Sequence, residues 1–224
     1  MLIRRHLQAG MRHDTSPSVP LDEPHRALLC VLEQGHNLSL VGPAGVGKTR
    51  LLREIGQVPE RQLEGLPVLL YLDCQDLQEA TEQQLFTAMA EAVCRSRPVP
   101  APGDNPAGSR LDHHAYARLV SMLDTCAQRG LRVCYLLDHF QALAQSPHLD
   151  TSVFSALRSL CSRPEVSLVC ATRAPLTGFP GITPEWGSPL CNVFTVLRLR
   201  EQMPQLRPSV QRTVAAGRIA VPAK

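Results

Sequence analysis

The chain contains no apolar run of the roughly 18 residues that a membrane-spanning helix needs. Its longest purely apolar stretches are strand-sized. Its 8 cysteines form no C-x-x-C pair, so the spacing of a structural zinc site is missing. No secretory signal is recognisable, which makes a reducing, cytoplasmic setting with free thiols the expectation. There is no internal repeat and no guanine-reading motif. The formal net charge of +3 on 224 residues is too small to argue for a polyanionic partner by itself. Its distribution is less even. Residues 1–13 carry Arg4, Arg5 and Arg12 with no acid, and the end of the chain carries Arg198, Arg200, Arg207, Arg212, Arg218 and Lys224 against Glu201. Such arms read first as solvated chain ends and second as a weak case for DNA. With 44% hydrophobic and 19% charged residues, the composition is that of a globular domain.

What is present is an alternation of strands and amphipathic helices. Residues 1–20 are polar and hold Pro17 and Pro20, which predicts a disordered arm. Ala27, Leu28, Val31 and Leu32 fall at helical spacing within 21–33. Residues 36–41 form a short strand running into glycines, and Leu51, Leu52 and Ile55 mark a helix after them. Residues 67–73 are a second strand, apolar almost throughout, as strands covered on both faces are. Thr81 and Gln84 form a capping box ahead of a helix with Leu85, Phe86, Met89, Ala90 and Val93. The Pro/Gly-rich stretch 97–109 predicts a surface insertion. A helix stopped by Gly130, a third strand at 131–137, a helix with Val153, Phe154, Leu157, Leu160 and Cys161, a fourth strand at 166–172 and a fifth near 193–199 complete the series. This pattern predicts one three-layer α/β domain over 21–200 with a mainly parallel five-stranded sheet, followed by an irregular tail at 201–224. Neither His113-His114, which predicts two surface side chains, nor the loop around Trp186 adds a site.

Between the first strand and the helix after it lies Gly42-Pro43-Ala44-Gly45-Val46-Gly47-Lys48-Thr49, which meets the G-x-x-x-x-G-K-[ST] pattern. Strand, loop and helix are the setting in which the pattern has a mechanism. Glycines let successive backbone N–H groups curl inward onto phosphate oxygens. The helix start adds open N–H groups and the positive end of its dipole. Lys48 is then a phosphate ligand, and the Thr49 hydroxyl a Mg²⁺ ligand. Mg²⁺ keeps most of its water, so one further acid on a neighbouring strand suffices. The strand ending Leu136-Leu137-Asp138 supplies it. His139 follows, where hydrolytic ATPases place an acid that orients the attacking water. A histidine can act as a base, but the missing carboxylate predicts slow hydrolysis. The fourth strand ends in Thr172-Arg173, a polar residue and a guanidinium suited to reading a γ-phosphate. Asp73, closing the second strand, reads first as a loop cap and only second as a site residue.

The run Leu40-Val41 into the phosphate loop, Tyr71-Leu72-Asp73, Leu136 to Phe140, and Ala171-Thr172-Arg173-Ala174-Pro175-Leu176 together resemble STAND-type ATPases. These are signal-transduction relatives of AAA+ and origin-recognition ATPases. The resemblance spans about residues 21–200. It implies the sheet order 5-1-4-3-2 and a nucleotide switch in which ATP, with Mg²⁺, and ADP favour different arrangements of core and lid. By motif it assigns phosphate binding to Gly42–Thr49, Mg²⁺ to Thr49 and Asp138, and γ-phosphate sensing to Thr172 and Arg173. The chain departs from the family at His139 and in the short tail after Glu201, which leaves no room for a helical lid. A protein partner or a second copy supplying the lid or an arginine is therefore the expectation. Two alternatives stay open: a subunit that holds nucleotide without hydrolysing it, and a DNA-associated AAA+ helper. Adenine stacking near Val19–Leu21 is a further suggestion.

Overall fold

The computed structural model describes residues 23–57, 66–96, 114–179, 182 and 189–199. The arm at 1–20, the insertion at 97–109, the tail at 201–224, the side chains of His113 and His114, Trp186 and the segment near Val19 lie outside them. Five strands, β1 (Asn37–Val41), β2 (Val68–Asp73), β3 (Val133–Asp138), β4 (Val166–Thr172) and β5 (Phe194–Arg198), form one sheet. Their order is β2-β3-β4-β1-β5, which is the expected order read from the opposite edge, and every pairing is parallel.

Among the described residues six α-helices flank the sheet: α1 (Glu23–Glu33), α2 (Lys48–Gly56), α3 (Glu82–Ser96), α4 (His114–Gln128), α5 (Gln141–Ala144) and α6 (Thr151–Cys161). Strand residues alternate between two faces, so each buried strand feeds two cores. Tyr135 and Leu137 join the larger one with Phe86, Met89, Leu119, Leu123, Phe154 and Leu157 from α3, α4 and α6. Cys134 and Leu136 join the smaller one with Leu28 and Leu32 of α1 and Leu51, Leu52 and Ile55 of α2. β1, β3 and β4 are buried along their whole length, which explains why they are mainly apolar, with Asn37, Ser39, Asp138, Ser167 and Thr172 as their buried polar exceptions.

Local signals in the sequence set the helix ends. The Thr81 amide donates to Gln84 Oε1 at 2.9 Å and the Gln84 amide donates to Thr81 Oγ1 at 3.4 Å, a reciprocal capping box. Gly130 has φ +70, the left-handed turn that ends α4, and Leu131 N donates back to Cys126 O. Asn37, buried at the start of β1, donates through Nδ2 to Cys161 O and accepts from Leu168 N at 2.9 Å. One amide thereby fixes β1 against β4 and the end of α6. Because the strands are parallel, the loops after β1, β3 and β4 open at one edge of the sheet, where ligands of such folds sit.

Candidate functional site

The loop after β1 is built for close approach. Gly45 (φ +78) and Gly47 (φ +97) hold left-handed conformations that side chains resist. Gly42 is required for another reason: a Cβ there would lie 2.8 Å from Leu199 O and 2.9 Å from Val46 Cγ1. α2 then starts at Lys48 with no side-chain cap and no acid in its first turn. Its first amides and dipole are therefore presented outward, an arrangement that favours an anion. Lys48 Nζ donates to Gly42 O at 2.7 Å and Pro43 O at 2.8 Å, so the ammonium is drawn back across the loop. Burial lowers the pKa of Lys48; the charge of Asp138 opposes that shift and Arg173 adds to it.

A cavity of about 540 Å³ lies over this loop. Ala44, Gly45, Gly47, Lys48 and Thr49 form its floor. Arg50, Arg53 and Glu54 of α2, Gln57 just after it, and His139, Gln141, Ala171 and Arg173 complete the lining. Arg50 Nε donates to Glu54 Oε1 at 2.6 Å, and Glu54 Oε2 meets His25 Nε2 at 2.8 Å, which ties α1 to the rim.

Beside it, the ends of β2 and β3 bring acids together. The register pairs Asp73 with Asp138 and Tyr71 with Leu136. Asp138 is 1% exposed. Its Oδ1 accepts from its neighbour's amide, His139 N, at 2.9 Å, and its Oδ2 accepts from Tyr71 Oη at 3.0 Å. Arg53 Nε donates to the same phenol at 3.3 Å, with its guanidinium 5.5 Å from the ring centroid. Burial is the main cause that pushes the Tyr71 phenol up to about 12, with Arg53 opposing and Asp138 adding. His139 has φ +51, which turns its ring back so that Nδ1 lies 3.0 Å from Asp73 Oδ1 and 3.7 Å from Asp138 Oδ2. An ionised carboxylate only accepts, so the contact is made with Nδ1 as the donor toward Asp73.

Lys48, Thr49, His139 and Arg173 thus share one cavity, with Asp138 buried beside them. Thr172 does not line it: it is fully buried and its hydroxyl donates to Ala174 O at 2.7 Å. Arg53, Gln141 and the Tyr71 bond to Asp138 went unread in the sequence. Arg53 was findable, since it stands one turn from Thr49 on the polar face of a helix whose apolar face is Leu51, Leu52 and Ile55. The donor set fits a polyphosphate with a hydrated hard cation: open amides, one ammonium, one hydroxyl and one buried acid.

A family model described as an AAA ATPase domain matches residues 24–171. The uncharacterized protein YifB of Escherichia coli (strain K12) is 31% identical over 105 residues, which is 42% of this chain and 21% of that protein. Among solved structures, the Aeropyrum pernix ORC1 protein in complex with DNA superposes with a TM-score of 0.55 at 23% identity, over 83% of this chain and 46% of that one. The Aeropyrum pernix ORC2 protein, solved as ADPNP-ADP complexes, gives 0.57 at 16% identity, over 83% and 50%. The Walker-type ATPase paby2304 of Pyrococcus abyssi gives 0.54 at 16%, over 85% and 56%. The chain therefore spans about half the length of these structures and about a fifth of YifB. Likeness at these identities shows a shared fold.

Proposed function

The chain belongs to the AAA ATPase domain family, and from that premise we propose that it is an ATP- and Mg²⁺-binding regulatory core of the STAND/AAA+ kind that hydrolyses ATP slowly. The observation that carries the reading is the loop after β1 with its uncapped helix start and Lys48, set in one cavity with Arg173 and His139.

In this reading the amides of residues 44–49 hold the phosphates, and Lys48 leaves the Gly42 and Pro43 carbonyls to pair with them. Thr49 and Asp138 would hold Mg²⁺, which supplies charge neutralisation to the phosphates when bound. Both oxygens of Asp138 already accept a hydrogen bond, which suits contact through the ion's water. Arg173 reads the γ-phosphate. His139 stands where the missing acid would, and the lack of a carboxylate there is the reason turnover is slow. A cytoplasmic signalling role fits slow turnover, because the bound nucleotide then sets the state. DNA association is the second reading. It is favoured by the fold shared with an ORC1 protein solved on DNA and by the arginines after residue 197.

One titration series tests these points. ATP, ADP and GTP are titrated with and without Mg²⁺ into wild type, Lys48→Ala and Arg173→Ala, with phosphate release followed in parallel. ATP binding should need Mg²⁺ and fall at least about tenfold in Lys48→Ala, and Arg173→Ala should weaken ATP more than ADP. Turnover should stay below about 1 s⁻¹, the low end for enzymes. Unchanged ATP affinity in Lys48→Ala would overturn the nucleotide reading. Fast turnover abolished by that variant would overturn slow hydrolysis. Salt-sensitive capture of duplex DNA would favour the second reading, and none at low salt would dismiss it.

A further inference from the structure

Asp73, Asp138 and His139 place two carboxylate oxygens and an imidazole nitrogen within 4.8 Å of one another. The separations from His139 Nδ1, 3.0 Å to Asp73 and 3.7 Å to Asp138, are close to the edges of a coordination shell with bonds of about 2.0–2.2 Å. His139 Nδ1 bonds the nearer acid, Asp73. The acids are also oriented from behind. Asp138 accepts from Tyr71 and from the His139 amide, and Asp73 Oδ1 accepts from Gln75 N at 3.0 Å. Donors of this kind fix metal ligands in position. Gln141, two residues along from His139, lines the cavity that His139 also lines, and its Oε1 is buried without a protein hydrogen-bond partner.

We propose that Asp73, Asp138 and His139 bind a divalent transition-metal ion of the Mn²⁺ class, in place of the Nδ1 proton and without nucleotide. Two carboxylates alone would suit Mg²⁺. The imidazole nitrogen shifts preference along the transition series toward Mn²⁺ and its heavier neighbours. Side-chain exposures of 25% for His139 and 18% for Asp73 leave the ion a way in from solvent. The site takes no ligand from the phosphate loop, but it shares Asp138 and His139 with the nucleotide reading, so uptake is measured without nucleotide.

The test uses the full chain, free of nucleotide, with Mn²⁺ as the probe. Loss of the free-ion EPR signal measures binding, and pulsed EPR detects nitrogen on the bound ion. Wild type should take up a single Mn²⁺ per chain, more tightly than Mg²⁺, with imidazole ¹⁴N modulation. Asp73→Asn should weaken uptake by about 10–100-fold. His139→Asn, chosen because Asn tolerates the left-handed backbone, should remove the ¹⁴N modulation. No saturable uptake, affinity unchanged in Asp73→Asn, or nitrogen modulation that survives His139→Asn would overturn the site. ATP titrated into the same preparation separates the two claims. ATP bound with Mn²⁺ refused sinks the metal site alone, and the converse sinks only the nucleotide reading.

Discussion

At the scale of single residues, burial shapes the chemistry as much as charge does. The 3 tyrosines of the chain all have raised phenol pKa values, with burial the first cause in each. Tyr135 donates to Met89 O inside the larger core, while Tyr71 donates to Asp138. A phenol pKa raised in the fold means that folding favours the neutral form. The stabilisation is fully present below the unfolded value of about 10 and is lost as pH rises through the folded value, about 12 for Tyr71. The absorbance of phenolate should therefore lag well behind pH 10 in the native protein and return to about 10 in denaturant. The midpoint of denaturation should fall between pH 9 and pH 11. A native titration centred on 10 would show these phenols to be solvated. The same residues show how far the site was legible. Gly42–Thr49 and Asp138 were readable because each is fixed by its local pattern. The bond from Tyr71 to Asp138 and that from Asp73 to His139 are not local; they follow only once the register pairs Asp73 with Asp138. Thr172 reads as a γ-phosphate sensor from its place at a strand end, and in the structure its hydroxyl donates to Ala174 O.

At the scale of elements, chain pattern and structure agree best where burial is complete. β4 runs from Val166 to Thr172 as expected, since all seven residues are buried and a charged residue flanks each side. β5 is the faintest strand: it pairs only with β1 among the described residues, and Val196 is 51% exposed. Its sequence therefore carries little periodic signal. α5 went unforeseen because four residues are too few to show a helical period. α6 shows how one residue sets an element. Asp150 Oδ1 accepts from Ser152 N at 2.8 Å, which caps the helix start. The Ser152 hydroxyl, then the Ser152 amide, lowers the Asp150 pKa. A depressed carboxyl stabilises above its unfolded value of about 3.9 and loses that contribution as pH falls. Asp150→Ala should cost about 1 kcal/mol at pH 7. Asp150→Asn, which still caps, should cost little there and should lose the acid dependence. Equal losses in both variants, measured by urea unfolding, would show that charge and not the cap matters.

At the scale of the whole molecule, the phosphate loop sits on the thinner of two cores. α2, which carries Lys48 and Thr49, packs through Leu51, Leu52 and Ile55 on the face shared with α1, whereas α3, α4 and α6 form the larger core on the other face. The sheet separates them, so stability and nucleotide response should be separable too. Leu157 is 0% exposed in the larger core and Leu52 is 0% exposed in the smaller. Truncating either to alanine removes buried methyl groups and leaves a cavity, at about 2–5 kcal/mol. Bound nucleotide acts by mass action: at 100 times its dissociation constant it adds about 2.7 kcal/mol. Urea unfolding with and without MgATP should then resolve three behaviours. Leu157→Ala lowers stability equally in both conditions and keeps the ATP increment. Lys48→Ala leaves the nucleotide-free value near wild type and loses the increment. Leu52→Ala loses both, because a cavity beneath α2 shifts the amides that face the phosphates. If Leu157→Ala also abolished the increment, the two cores would be one mechanical unit. The sheet would then transmit a change on its far face to the loop after β1, and a nucleotide signal could cross it in the same way.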